Sequence, residues 1–437
     1  MNNSSNPCNS ASHITRRTML QATATGLGGL AWLTPVAHLL GRAQEKTPTH
    51  APAKSVIMLW MAGGPSQLET FDPHAGKTIA GDTRAISTSV KGVQFAHGLP
   101  QVAEVMHELT LVRSMVSKEG DHERATYNVK TGYRPDPTLV HPSIGAVLCH
   151  ELPDAEMDIP RHISILPGQW PARGGYLGAQ YDAFKVYNTN GRAGNITARV
   201  QPKRLDNRRA ALKQVEQSFA RGRRADLDAK TTLHNATIQK ALRMMSSEQL
   251  SAFDITQAPT KTRAAFGDTQ FGRGCLAAIQ LIGAGVRCVE VTLNGWDTHA
   301  NNHEAHVTQN AILDPAFASL IRELRARKLL DQTIVICAGE FGRTPKINPA
   351  DGRDHWPAGF SIALAGGGFR AGHVHGATNA DGAKLDPLDK ESIHVADIHT
   401  TIQHSLGIDF AKELMTPISR PMTLSDGRVI KTLLKQS

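Results

Sequence analysis

Hydrophobic positions in this chain fall into short, nearly continuous runs separated by polar loops. Ser55-Val56-Ile57-Met58-Leu59-Trp60-Met61 is one such run; others lie at 109–115, 163–166, 287–293, 333–337 and 360–365. Each is too short for a buried helix, most are rich in β-branched residues, and several end in glycine, so they predict strands. The run Thr333-Ile334-Val335-Ile336-Cys337 has no polar alternation, which predicts a central strand covered on both faces. Between the strands, apolar periodicity predicts helices near 100–108, over 271–283, from about 306 to 328, and from 393 to 402. Strand, long helix, strand over 287–338 is a βαβ unit and implies a parallel sheet. The expected fold is therefore α/β, a mainly parallel central sheet with helices on both faces. Loops after its strands should converge at one edge. The pattern loosens in an insertion around 167–264. It opens with a Gly-, Pro- and aromatic-rich stretch at 167–194, read as a long loop or an excursion from the sheet. It continues into charged helices at 205–227 and 233–245 that suggest a helical cap. No internal repeat is present.

The polar loops carry the candidate chemistry. In an open α/β sheet, functional groups collect in loops at the carboxyl ends of strands. After 333–337 come Glu340, Arg343 and Thr344, then Arg353, Asp354, His355 and Trp356, before the next apolar run. After 287–293 comes Asn294-Gly295-Trp296-Asp297-Thr298-His299-Ala300-Asn301-Asn302-His303. Carboxylate and imidazole donors at that density suit a divalent metal, with Asp297 and His299 or His303 as its ligands. His299 fits an extended segment, since residues two apart point to one side, and His303 fits a helical one. After the first strand, Gly63-Gly64 breaks the chain before Ser66, which sits either in a site or in an ordinary turn. Asp121 and His122 stand where a helix begins: either they orient or exchange protons with an anion there, or Asp121 is an N-cap beside an exposed His122.

The amino terminus reads as a targeting segment. Arg16-Arg17 precede a mildly apolar stretch to Leu40, with small residues at Gly41 and Ala43, which resembles a twin-arginine signal peptide over 1–43. A linker at 44–53 and one α/β domain at 54–437 follow. Nothing later reaches membrane-spanning length, so the expected location of the mature chain is periplasmic or secreted. The 437 residues carry a net charge of +9, which falls to +6 without the leader, whose only charges are Arg16, Arg17 and Arg42. That excess is spread out, and no aromatic residues interleave with Arg221, Arg223 and Arg224, so nucleic acid is not the expected partner. Of five cysteines, Cys8 lies in the leader and the others sit in apolar segments without metal-like spacing, which predicts buried thiols.

Gly63-Gly64-Pro65-Ser66-Gln67-Leu68-Glu69-Thr70-Phe71-Asp72, Gly295-Trp296-Asp297-Thr298-His299, Gly339 to Pro345 and Gly352 to Pro357, behind such a leader, resemble the bacterial domain of unknown function 1501 family. That family is grouped with the alkaline phosphatase and sulfatase superfamily, which implies an alkaline-phosphatase-like fold and a divalent metal (zinc, calcium or manganese). By that resemblance Asp297 with His299 or His303 corresponds to an Asp/His ligand set, Glu340 to the Asp of an Asp-His pair, and His355 to a final His. The chain departs from the superfamily in two places. Met61-Ala62-Gly63 offers no carboxylate after the first strand, and Phe341 stands where the histidine of the pair would be. One metal position is intact and a second is depleted, whereas two-metal phosphoryl chemistry needs both.

The resemblance implies a metal-dependent hydrolase of phosphate or sulfate esters, taking a small anionic substrate. Arg343 would steady the anion, and Asp354 or His122 would handle protons. The alternative is a non-catalytic envelope protein that binds an anionic ligand or partner in the same pocket. A dinucleotide enzyme is excluded, because Gly63-Gly64 lacks the spaced glycine fingerprint. Since the paired arginines are what an export machinery would read, changing both Arg16 and Arg17 to Lys is expected to leave the protein in the cytoplasm. Cell fractionation checks this, and unchanged export of the double variant would remove the twin-arginine reading.

Overall fold

The apolar runs become strands because each alternates its side chains between two separate cores. In β1 (Ser55–Ala62), Ile57, Leu59 and Met61 enter one core, while Val56, Met58 and Trp60 enter the other. A computed structural model describes residues 52–152, 157–190, 196, 198–220, 233–379, 381 and 392–435. The leader at 1–43, with its paired arginines, and most of the 44–53 linker lie outside these residues, as does the end of the helix expected to reach 227. The described residues all belong to one compact unit, Pro48–Ser437.

The remaining strands of the main sheet are β2 (Leu109–Val116), β3 (His162–Ile165), β4 (Phe184–Val186), β5 (Cys288–Asn294), β6 (Thr333–Ala338), β7 (Phe360–Ala365), β8 (His373–His375) and β9 (Ile393–His394). They run in the order β8-β2-β7-β6-β1-β5-β3-β4, with β9 also pairing with β2. Every pairing is parallel except those of β7, which runs antiparallel to both β2 and β6. The fold is thus a mixed, mainly parallel α/β sheet. The exception matters: because β7 is reversed, the loop that precedes it, not the one that follows, arrives at the carboxyl edge of β1, β5 and β6. Both β4 and β8 went unread in the sequence. They are three-residue edge strands, too short for any periodicity to show, and β4 falls inside the stretch read as a loop.

Helices cover both faces. On one side lie α3 (Gln270–Gly283) and α4 (Asn302–Ala326), burying Phe271, Leu276 and Ile279 with Leu313, Phe317 and Leu320. On the other lie α2 (Ile144–Glu151) and α5 (Val395–Ser405), burying Ile144, Val147, Ile398 and Ile402. Each such side chain contributes about 1.5–3 kcal/mol when fully buried. Further helices at Pro202–Ala220 and Leu233–Ser246 occupy the insertion. No described helix is long and apolar enough to cross a membrane. Cys149, Cys275, Cys288 and Cys337 are buried and none is in a disulfide.

Helix α1 (His122–Thr131) starts from Asp121, whose carboxylate accepts the Arg124 N–H at 3.1 Å, and ends at Gly132 in the left-handed conformation. It is tied to α5 by His399, whose Nε2 donates to Val129 O at 2.8 Å. A second buried imidazole, His306 on α4, accepts the Ser66 N–H at Nε2 (2.9 Å) and donates from Nδ1 to Asn302 O (2.8 Å). Burial holds the pKa of each down at about 4. Below the ordinary histidine value of about 6.5, the unfolded chain binds two protons that the folded chain refuses. Stability should therefore be full above that pH and fall as pH drops from about 6.5 to 4, by about 3 kcal/mol per histidine. Urea midpoints measured across this range check it; a flat profile would mean that these imidazoles are not buried neutral.

Candidate metal centre

The loops after β1, β5 and β6 are fastened together by one side chain. Arg343 has no solvent exposure, and all three nitrogens of its guanidinium donate to the protein. Nε donates to Gly64 O (2.8 Å), Nη1 to Arg353 O (3.0 Å), and Nη2 to Gly63 O, Trp296 O (3.2 Å) and Asp297 Oδ1 (2.7 Å). A second buried guanidinium, Arg353, fixes the return of the chain toward β7. It donates to Glu69 Oε1 from Nε (3.1 Å) and Nη2 (2.8 Å), and to the Thr344, Pro345 and Ile79 carbonyls. Burial pushes the Glu69 carboxyl up, but Arg353, His306 and Ser66 together hold it below its ordinary value.

On this frame three imidazoles and three carboxylates meet. His122, the first residue of α1, donates from Nδ1 to Glu340 Oε1 at 2.7 Å. Its Nε2 lies 3.3 Å from Asp297 Oδ2 but makes no hydrogen bond, although it is buried. Glu340 is itself buried; its Oε1 also accepts the Gly63 N–H at 2.9 Å, and its Oε2 has no partner. His355 donates from Nδ1 to Gly120 O at 2.8 Å, which leaves Nε2 as the free lone pair, 3.6 Å from Asp297 Oδ1. His299 lies with Nε2 3.0 Å from His355 Nε2 and 3.3 Å from Asp297 Oδ1, and its Nδ1 meets Asp354 Oδ1 at 2.8 Å. One atom each of His122, Asp297 and His355 lie within 4.8 Å of one another. Ligands about 2.0–2.2 Å from a tetrahedral zinc would stand about 3.3–3.6 Å apart, so the donor set fits a divalent cation. The buried, unbonded Nε2 of His122 is the observation that favours one, because a polar atom left so is costly.

Electrostatics follow from the same contacts. The hydrogen bond to Glu340 raises the His122 pKa against burial, helped by the charges of Glu340 and Asp297. Burial lowers that of His355. Burial pushes the Asp297 carboxyl up, but the Arg343 hydrogen bond and charge, with His122 and His299, hold it below the ordinary value. The His299 hydrogen bond does the same for Asp354.

Not every residue singled out in the sequence comes here. Ser66 is fully buried in the turn after β1, where its Oγ accepts the Leu68 N–H (3.3 Å) and its carbonyl accepts the Thr70 hydroxyl. Asp121 caps α1. Of the two histidine alternatives, His299 stands beside Asp297, whereas His303 is a helical residue facing Thr83 (Nδ1 to Oγ1, 3.4 Å) and stacked on His97. Arg343 was expected to face an anion; instead its donors are consumed by carbonyls and Asp297. His122, read as a proton carrier, stands among the metal donors. Phe341 forms an apolar floor, its ring 4.4 Å from His355 and 5.0 Å from His122. The sequence did not single out Lys130, although His122, Thr126 and Lys130 follow one another at spacings of four that put all three on one helix face.

The chain matches the sequence profile of the family described as "Protein of unknown function (DUF1501)" over residues 53–434. It belongs to the DUF1501 family. No curated protein matches it in sequence. Among solved structures, it is similar to the zinc complex of the C-terminal periplasmic domain of EptC from Escherichia coli, at 11% identity and a TM-score of 0.39, covering 89% of this chain and 94% of that one. It is also similar to the alkaline phosphatase of the Antarctic bacterium TAB5, at 13% identity and a TM-score of 0.36, covering 82% and 99%. A third is the PsFucS1 sulfatase from Pseudoalteromonas sp., at 12% identity and a TM-score of 0.38, covering 82% and 68%.

In this DUF1501 chain two substitutions at the loop clamp should be costly. Gly63 has φ +119°, and a Cβ there would lie 2.4 Å from the Asp297 backbone nitrogen. Gly63→Ala should therefore cost about 1–3 kcal/mol and displace Asp297. Arg343→Lys cannot reproduce a planar fork and should cost about 3–5 kcal/mol. Arg322→Lys, which alters an exposed pair with Glu104, should stay within about 0.5 kcal/mol. Denaturant unfolding of the three variants checks this ranking.

Proposed function

We propose that the protein is an extracytoplasmic, metal-dependent hydrolase of phosphate or sulfate esters that works with a single divalent ion. The observation that carries this is the unbonded His122 Nε2, set with Asp297 and His355 around one centre. These three residues would hold the ion. When bound, such an ion supplies polarisation of an ester oxygen and lowers the pKa of a coordinated water. Glu340 orients His122, and Gly120 O fixes the His355 tautomer, as outer partners of ligating histidines do. Phe341, in the place of a second set's histidine, supports one ion and not two.

His299 has a different task. It is about half exposed, and Asp354 braces its Nδ1, so Nε2 can hold a proton for the departing ester oxygen while the carboxylate keeps the ring in one tautomer. The charge on the substrate cannot be met by Arg343, which is fully buried and paired with Asp297, or by Lys130, which is paired with Glu290 at 3.0 Å. The bound cation is then the group left to attract it. A pocket of about 200 Å³ opens beside the donors and gives the substrate its place.

Metal content and turnover separate the roles. His355→Ala should lose most bound zinc on dialysis and all activity toward 4-nitrophenyl phosphate and 4-nitrophenyl sulfate. His299→Ala should keep its metal and lose about 100-fold or more in kcat, the range expected for a lost general acid. His150→Ala, outside the site, should change neither. Metal-loaded wild-type protein that turns over no phosphate or sulfate ester would overturn the hydrolase and leave the non-catalytic binding protein.

A further inference from the structure

The pocket beside the metal donors continues along the face of α1 away from His122, and its chemistry changes on the way. One helical turn on, Thr126 lines it, and a turn further Lys130. Lys130 is buried and fully engaged: Nζ donates to Glu290 Oε1 (3.0 Å) and Trp170 O (3.0 Å) and lies 4.8 Å from the centroid of the Trp60 ring. Its charge is thus cancelled, and the Trp60 face is taken. What remains on the wall is neutral. Thr126 presents a hydroxyl with no hydrogen bond to the described residues, and the exposed side-chain amides of Gln169 and Asn294 likewise make none. Trp170 is the half-exposed aromatic, and Gly295 contributes bare backbone.

From this we infer that the end of the pocket remote from the metal donors is a binding subsite for an uncharged sugar ring. One available indole face suits the apolar C–H face of a pyranose. Two amides and a hydroxyl, each able to donate and accept, suit its hydroxyl groups. A charged group would meet no net charge there, since the Lys130 and Glu290 charges cancel. A nucleobase, flat and apolar on both sides, would find only one aromatic face. The whole pocket, metal-donor end included, has a volume of about 200 Å³, which excludes a lipid chain or a folded peptide segment. The inference rests on the proposed function for its consequence, that the ester hydrolysed is carried by a carbohydrate, but the binding itself needs neither metal nor catalysis.

The test is therefore made on chelator-treated full-length protein, by tryptophan fluorescence on adding methyl β-D-galactopyranoside, methyl β-D-glucopyranoside, methyl α-L-fucopyranoside or adenosine. A saturable millimolar response to at least one glycoside is expected. It should be retained in His355→Ala and weakened tenfold or more in Asn294→Ala. For Trp170→Phe and Trp170→Ala, which both remove the reporter, binding is read by saturation-transfer NMR; it should be largely kept in Trp170→Phe and fall at least tenfold in Trp170→Ala. Trp170→Phe also controls for folding. No response to any glycoside, a Trp170→Ala variant that binds as well as wild type, or tighter binding of adenosine than of every glycoside would each overturn the subsite. Ester hydrolysis without glycoside binding would sink this inference alone. Glycoside binding without hydrolysis would sink the enzymatic reading alone.

Discussion

Everything at the carboxyl edge of the sheet depends on the burial of the Arg343 guanidinium. A cation withdrawn from water is costly unless its donors are met, and here five acceptors from three stretches of chain meet its three nitrogens. Those acceptors are mostly carbonyls of the turn after β1 and of the loop after β5, so satisfying the charge fixes where these loops lie. Asp297 is the only formal anion among them, and it is held with one oxygen toward Arg343 and the other toward His122. The arginine thus sets the position of a carboxylate without itself reaching the pocket.

A second buried ion pair, Arg353 with Glu69, repeats the device one layer out and secures the loop that delivers Asp354 and His355. The reversed strand β7 is the topological counterpart of this clamp. Had it run parallel, His355 would have lain at the far end of the sheet from Asp297. The histidines could then not have met, whatever the sequence of the loop.

The result is one cluster of three candidate donors, His122, Asp297 and His355. Where the superfamily resemblance implies a carboxylate after the first strand, the chain has Gly63, whose N–H braces Glu340. Where it implies a histidine beside Glu340, the chain has Phe341, packed under two imidazoles. Glu340 is thereby turned from a ligand of its own into the partner that orients His122. The third donor of the cluster, His122, comes from the amino end of α1.

The amino-acid sequence by itself determined the strands and the chemistry within each loop. Uninterrupted β-branched runs such as 333–337 have no other stable form, and the clustered donors after 287–293 and 333–337 mark the loops as polar sites. It also fixed α1 through Asp121, a local cap. Only the tertiary structure decided which donors meet. His299 over His303, the recruitment of His122, the withdrawal of Ser66 and the full engagement of Arg343 all depend on contacts between residues tens to hundreds of positions apart. Local propensity carries no information about such pairings; the cost of burying a charge or an unpaired nitrogen does, and it is felt only once the chain has closed around them. The edge strands β4 and β8 were hidden for the same reason, since three residues become a strand only when a neighbouring strand offers its hydrogen bonds.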